Sequence, residues 1–592
     1  MSLTSKQEKI VKATSGHYVV LAGPGCGKTH TITEKVLYIF QKEIIPEPYG
    51  LLAITFTNYA AQIMRARLHS KGFNQWSRIW AGTFHSLGRY ILGCYGGDIG
   101  IREDFEIIES HKRNMVLRKL VSKYSTDLSY DRLGLLFEEL KREGRYPEQC
   151  DDFSSHRVSE AYREYNHILR ERNLLDFGDL VALAVQLLQK SDFVRRLFTN
   201  FFRYIVVDEF QDTDRQQLEM IRIFAKPSIG STIVGDDDQS IFEWRGALRQ
   251  NVFRIKELLD STEIVLGQNF RSDEIIVRAA ARVIGFDPRR RKKDLRAVSK
   301  RKGHLYKCRF YDVDDEAEYV VKWIREKLND MVNDPGDIAI ITRNHYRKKW
   351  VVQEMDRSGI SWFDRSRLKF KDSWETALAL GIIELAHDPA SSLFLYRVMA
   401  SVEEGGLAYR LDSEDALDIA LNIRNQLKVA KDLELHPKKV RDILNVVDMA
   451  EIIRSASAGI SDAQRRTRNL EKMMKDIYSE TREHGVGLLE VVNRFSGHGA
   501  IQVLSGHQAK GGEFDVVFFI GLEDDVLPDR RNHNEEKKLA EERRVFYVGL
   551  TRASKAVYLT YATHRPGRRS ASARPSRFIE QIPDEYFSEI IF

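Results

Sequence analysis

Cysteine is scarce: the 592 residues hold four, Cys26, Cys94, Cys150 and Cys308, with no CxxC spacing among them. That excludes a small disulfide scaffold, argues against a zinc finger or iron–sulfur cluster, and fits a reducing compartment. Proline is sparse as well, at 13 residues, so long proline-rich linkers are not expected. No stretch reaches about 18 consecutive apolar residues, which removes the expectation of a transmembrane helix. The opening MSLTSKQEKIVKA lacks the basic and apolar regions of a secretion leader, and no repeat of about 20–50 residues is evident. Neither sign of charge dominates. Ninety-two Lys+Arg against 86 Asp+Glu leave a net +6, so any basic footprint must be local. What is present is 43% hydrophobic, 30% charged and 10% aromatic residues, an ordinary globular composition. A cytoplasmic, multi-domain protein with no membrane partner is the expectation, with about four domains at roughly 150 residues each.

Residues Tyr18–Leu21 (YVVL) form a short apolar, β-branched run that ends in AGPGCGKT, and a helical pattern through Ile32, Val36, Leu37 and Phe40 follows. Strand, glycine-rich turn and helix is the context a phosphate-binding loop requires. Gly23, Gly25 and Gly27 allow successive N–H groups to face a phosphate, and the helix starting near Lys28 adds its positive end. Lys28 would reach the β- and γ-phosphates of a nucleotide, and the Thr29 hydroxyl would ligate Mg²⁺. A chance GKT in a glycine-rich turn is the bland alternative, and the flanking strand and helix weigh against it.

A second run, Tyr204–Val207 (YIVV), ends in DEFQD. Asp208 suits a Mg²⁺ ligand on a strand expected beside that of the phosphate loop, and Glu209 can take a proton from an attacking water. A third run, Ser231–Val234, leads into GDDDQSIFEWRGA, where Gln239 suits contact with a γ-phosphate. Phe242 and Trp244 are core residues by default, but a Trp between Glu243 and Arg245 is expected to be half exposed and able to stack on a base.

From these residues the chain resembles the UvrD/Rep/PcrA-like superfamily 1A DNA helicases. The resemblance is carried in order by Gln7 in LTSKQEKIV, AGPGCGKT, LLAITFTNYAAQIM, GTFHSL, VVDEFQDTD, VGDDDQSIFEWRGA, LGQNFRS, GHQAKGGEFDVVFFIGLEDDVLP and EERRVFYVGLTRA. It implies an α/β chain with two RecA-like motor domains on parallel sheets, each interrupted by a mostly helical insertion, using ATP and Mg²⁺. Ala22, Gly23, Pro24, Gly25, Cys26, Gly27, Lys28, Thr29 and His30 would form the nucleotide loop. The resemblance implies adenine contacts from Gln7 and Phe270, a ribose contact from Glu513, and arginine fingers at Arg271 and Arg552 from the second motor. Thr29, Asp208 and Glu209 would hold the metal. Thr55, Phe56, Asn58, His85, Phe242, Trp244, Arg245 and His507 would line the DNA strand. The chain departs from the family pattern at His30, Tyr59, Glu243 and Gly512, none of which removes a catalytic group.

Spacing sets the architecture. Lys28 and Asp208 stand 180 positions apart and Arg271 and His507 stand 236 apart, so each motor must carry an insertion. Helix-like periodicity fills residues ~90–190 and ~373–495. The expected division is motor one at 1–88 and 191–265, a helical insertion at 89–190, motor two at 266–372 and 496–592, and a shortened second insertion at 373–495. Two basic runs, DPRRRKKDLRAVSKRKG (287–303) and THRPGRRSASARPSRF (563–578), are either solvated loops or tracks for a strand. The reading is a 3′→5′ helicase and translocase on single-stranded DNA and its junctions with duplex, serving repair, recombination or genome defence. No C-terminal nuclease domain is expected after RPSRFIEQIP, and a separate nuclease or repair protein is a candidate partner. The alternative is a DNA-stimulated ATPase subunit that remodels or senses DNA without unwinding it.

Overall fold

The computed structural model describes all residues except 1–2, 148–155, 333, 365–373, 388, 390–397, 399–400, 403–415, 430–439, 457–459, 485–487, 489–491, 493–499, 566–572 and 592. Cys150, several stretches of the second insertion and the middle of the second basic run therefore lie outside the described residues. The chain divides into two compact units, Met1–Lys302 with Glu535–Tyr547, and Gly303–Asn534 with Val548–Phe592.

The first unit is built on six strands: β1 (Gly16–Ala22), β2 (Gly50–Thr55), β3 (Ile79–Thr83), β4 (Phe202–Val207), β5 (Gly230–Gly235) and β6 (Thr262–Leu266). They lie in the order β3-β2-β4-β5-β1-β6 and every pairing is parallel. The runs of Val, Ile and Leu that mark these strands follow from the topology, because a parallel sheet is covered on both faces by its crossover helices. Successive residues divide accordingly. Val19, Leu21, Leu52, Ile54, Ile205 and Val207 pack into one core, while Val20, Ala22, Leu51, Ala53, Val206 and Val234 pack into another.

Between β3 and β4 the chain is chiefly helical, with helices Ser110–Tyr124, Tyr130–Arg142, His156–Glu171 and Phe177–Lys190. Leu117, Leu133, Phe137, Tyr162 and Tyr165 form their own cluster. A buried ion pair fixes this cluster to the next helix, with Lys141 Nζ 2.7 Å from Asp176 and 2.8 Å from Asp179.

The second unit contains, among the described residues, seven strands: β7 (His304–Phe310), β8 (Ile338–Thr342), β9 (Trp362–Phe363), β10 (Ile501–Ser505), β11 (Phe514–Phe519), β12 (Ala553–Ala562) and β13 (Glu589–Ile591). Their order is β9-β10-β8-β11-β12-β7-β13, again parallel throughout. Helices Trp374–His387, Ala416–Val429, Val440–Val446, Met449–Ala456 and Ile460–His484 interrupt this sheet between β9 and β10. Leu378, Ile382, Ile423, Leu444, Met473 and Ile477 bury one another there. Both units are thus parallel α/β layers interrupted by helical segments, as the sequence led one to expect. Among the described residues no helix is long and apolar enough to cross a membrane.

Candidate functional site

The loop after β1 is shaped by two glycines. Gly25 and Gly27 have φ of +64° and +74°, in the left-handed region that costs glycine nothing. A Cβ at Gly25 would also lie 2.7 Å from Arg271 Cβ, so a side chain there is refused twice over. Gly27 caps the helix Lys28–Gln41 without a side-chain bond, leaving the first N–H groups of that helix available for an anion. Cys26 is buried, and burial pushes its thiol up to about 12, which makes it packing and not a nucleophile. Gln7 is also buried. Its Nε2 donates to Cys26 O at 3.1 Å, and its Oε1 accepts from Thr4 N at 2.9 Å in a capping box. His30 lies 3.8 Å from Glu34, and its pKa is lowered chiefly by burial, so a neutral ring stands at this position of the loop.

The acidic pair comes from β4. Asp208 was expected on a strand neighbouring β1. Instead β5 separates β4 from β1, an order set by long-range pairing that no local pattern reveals. The carboxylate still reaches the loop: Thr29 Oγ1 donates to Asp208 Oδ2 at 3.2 Å, and Lys28 Nζ lies 3.8 Å from Glu209 Oε1. Burial, then the Glu209 charge, pushes the Asp208 pKa up to about 6, and the Lys28 charge with the hydrogen bonds from Glu209 N and Thr29 offsets this only in part. Its hard oxygen beside the Thr29 hydroxyl suits a divalent cation of the Mg²⁺ type. Glu209 sits at a φ of +52°, a strained conformation for a non-glycine residue of the kind found at functional positions.

Gln239 is buried, and its Nε2 donates to Asp236 Oδ2 at 2.5 Å. Asp236 N donates to Gln211 Oε1 at 2.8 Å, and Gln211 Nε2 donates to Glu209 Oε2 at 2.5 Å, so one hydrogen-bonded chain joins Gln239 to Glu209.

Residues 266–302, assigned from sequence to the second motor, group with the first unit. The reason lies on the phosphate loop. Asn269 Nδ2 donates to Pro24 O at 2.8 Å and Phe270 N donates to Gly25 O at 2.8 Å, which seats Phe270 and Arg271 against the loop. Arg552 belongs to the second unit, where it is buried and donates to Val548 O at 2.9 Å, Gly512 O at 3.3 Å and Thr551 Oγ1 at 3.1 Å. Glu513 is exposed and His507 half-buried in that same unit.

A second group lines the same strand-end edge of the first sheet. Thr55 and Thr83 are paired last residues of β2 and β3. Phe56 and His85 follow them, and Asn58 opens the helix Asn58–Ser70, although its side chain lies outside what is described. After β5, Phe242 stacks on Phe56 with centroids 5.7 Å apart and planes 20° apart. Trp244 is 57% exposed, and the Arg245 guanidinium lies over its ring at 4.7 Å. His85 meets the edge of Phe177 at 6.3 Å. Phe177 is 67% exposed, an aromatic that sequence reading passed over because it stands inside a helical pattern. Half-buried Phe56 and Phe242 with exposed Trp244 and Phe177, in the unit that carries the phosphate loop, can stack bases without selecting among them.

Comparison with known proteins gives the family. Residues 3–260 match the model of the UvrD/REP helicase N-terminal domain, and residues 264–406 and 408–564 match that of the UvrD-like helicase C-terminal domain. The chain belongs to the UvrD-like helicase family. Among relatives, the ATP-dependent DNA helicase PcrA of Leuconostoc citreum is 28% identical over 98% of this chain and 85% of its own length. The protein of that name from Staphylococcus epidermidis is 28% identical over 99% and 87%. One from Staphylococcus aureus is 28% identical over 98% and 86%. In this UvrD-like chain the residues that sequence reading did not single out include, besides Phe177, Gln211, Asp236, Arg544 and Lys293. These last four are buried polar groups with at least one partner distant in the chain, and their one sequence signal is polar residues adjoining recognised motifs.

Proposed function

We propose that this chain is an ATP-driven helicase and translocase that moves 3′→5′ along single-stranded DNA, in repair, recombination or genome defence. The observation that carries the reading is the convergence of Lys28, Thr29, Asp208 and Glu209 at the strand ends of a sheet whose same edge bears Phe56, Phe242 and Trp244. Direction of travel rests on the family resemblance.

In the proposed mechanism Thr29 and Asp208, with Glu209 adjoining, would hold Mg²⁺, which would supply positive charge against the β- and γ-phosphates of a bound nucleotide. Lys28 binds those same phosphates, and the loop N–H groups from Gly25 to Thr29 orient them, with Ala22, Gly23, Pro24 and His30 at the margins. Glu209 accepts the proton of the attacking water. Gln239 contacts the γ-phosphate, and Arg271 and Arg552 supply fixed guanidinium charge to the transferring group. Arg552 would exchange its carbonyl partners for phosphate oxygens. Gln7 and Phe270 receive the adenine and Glu513 the ribose. Thr55, Phe56, Asn58, His85, Phe242, Trp244, Arg245 and His507 hold the strand. The four-part division at 1–88 with 191–265, 89–190, 266–372 with 496–592, and 373–495 belongs to the same proposal, as do a cytoplasmic location and a separate nuclease or repair partner.

Strand displacement tests this reading. With ATP and Mg²⁺, a duplex with a 3′ single-stranded tail is expected to be separated, and one with a 5′ tail is not. Preference for the 5′ tail would overturn the polarity. DNA-stimulated hydrolysis without displacement of either substrate would favour a remodelling or sensing subunit.

A further inference from the structure

We infer that Lys293 is a positioning residue for Gln239, acting through Asp236. Lys293 lies in the basic run 287–303, which by composition reads as a solvated loop or a nucleic-acid track. Its side chain is 0% exposed. Its Nζ lies 3.0 Å from Asp236 Oδ1 and 2.9 Å from Asp238 Oδ2, and it also pairs with Asp237. Burial alone would lower the pKa of this amine, and the three carboxylates, Asp236 foremost, more than reverse that, so it is held as a cation.

The three aspartates are not equally supplied. Arg290 forks onto Asp238 at 3.0 and 2.7 Å, and Arg249 reaches Asp237 at 3.3 Å. Among the described residues Lys293 is the cation paired with Asp236. The other oxygen of Asp236 accepts from Gln239 at 2.5 Å, while its N–H is tied through Gln211 to Glu209. Lys293, together with Asp238 N, which donates to Asp236 Oδ1 at 3.2 Å, therefore holds the Asp236 carboxylate that accepts from the Gln239 amide, and Lys293 alone of the two supplies it with charge. Without it Asp236 becomes a buried charge lacking its counter-ion, which turns or takes a proton, and Gln239 loses a fixed acceptor. The inference rests on the proposed role of Gln239 at the γ-phosphate.

The experiment compares Lys293→Met and Gln239→Ala, singly and together, in steady-state ATP hydrolysis with single-stranded DNA, with thermal melting alongside. Lys293→Met is expected to lower kcat by about tenfold or more while KM for ATP stays within about twofold. The double variant is expected to turn over no more slowly than Gln239→Ala alone, because both changes act through one group. Losses that multiply, a raised KM with unchanged kcat, or wild-type turnover in Lys293→Met would overturn the inference. A Gln239→Ala protein with wild-type turnover would instead remove the role of Gln239, and this inference with it. Should Lys293→Met lose its cooperative melting, Asp236→Asn breaks the same link from the other end while leaving Lys293 paired with Asp237 and Asp238. The same comparison with Gln239→Ala then decides.

Discussion

Asp214 illustrates how one side chain trades stability against charge. It caps the helix Arg215–Ala225, its Oδ1 accepting from Gln217 N at 2.9 Å. Burial pushes its pKa from 3.8 to about 6 in spite of that bond. The folded protein therefore holds this proton more tightly than the unfolded chain does. Stability from this group is greatest below pH 4, falls as pH rises through the interval from 3.8 to about 6, and stays reduced above it. Asp214→Asn keeps the capping acceptor and removes the charge. Denaturant unfolding at pH 8 is expected to find the variant more stable by about 1–3 kcal/mol, with the difference shrinking towards pH 4. A variant less stable at pH 8 would mean that the helix end needs the full charge.

At the scale of elements, the turn Glu243–Arg245 after β5 presents Trp244 to solvent with Arg245 over its ring. Arg544 pins this turn from the helix Glu536–Leu550, donating to Ser240 O at 2.6 Å and to Glu243 Oε1 at 2.5 Å. A turn anchored at its start with its aromatic outward is suited to transmit strand contact, under the proposed function, to Gln239 only a few residues before it. Trp244→Ala is expected to leave DNA-free ATP hydrolysis near the wild-type rate while cutting stimulation by single-stranded DNA severalfold, since a stacked base is worth about 1–3 kcal/mol. Undiminished stimulation would make Trp244 a bystander. Its exposure was legible in advance, because a Trp between Glu243 and Arg245 has charged neighbours on both sides. The phosphate loop was legible for a different reason: the conformations at Gly25 and Gly27 are ones that glycine adopts without strain. The order of the strands was not, since β5 enters between β4 and β1 through pairings about 30 and 200 residues distant in the chain. Nor was the fate of the run 287–303, where Arg290 and Lys293 are consumed by aspartates more than 50 positions away. Composition counts charges, but it does not count their partners.

Across the whole molecule, each unit carries a parallel sheet buried on both faces and a separate helical cluster. The first also gathers the phosphate loop, the acidic pair, Gln239 and the aromatic edge within one compact body. Under the proposed function, strand contact at Phe56, Phe242 and Trp244 would have to reach Glu209 and Lys28 within that one body, where Gln239 is joined to Glu209 by hydrogen bonds. The account stands on coupling between a nucleotide and a single strand, and the most direct measurement is the ATP hydrolysis rate with no nucleic acid, with single-stranded DNA and with RNA. It predicts a low basal rate, a rise of about tenfold or more with DNA and not with RNA, and no turnover in Lys28→Ala under any condition. A rate indifferent to DNA, or hydrolysis that survives Lys28→Ala, would contradict it.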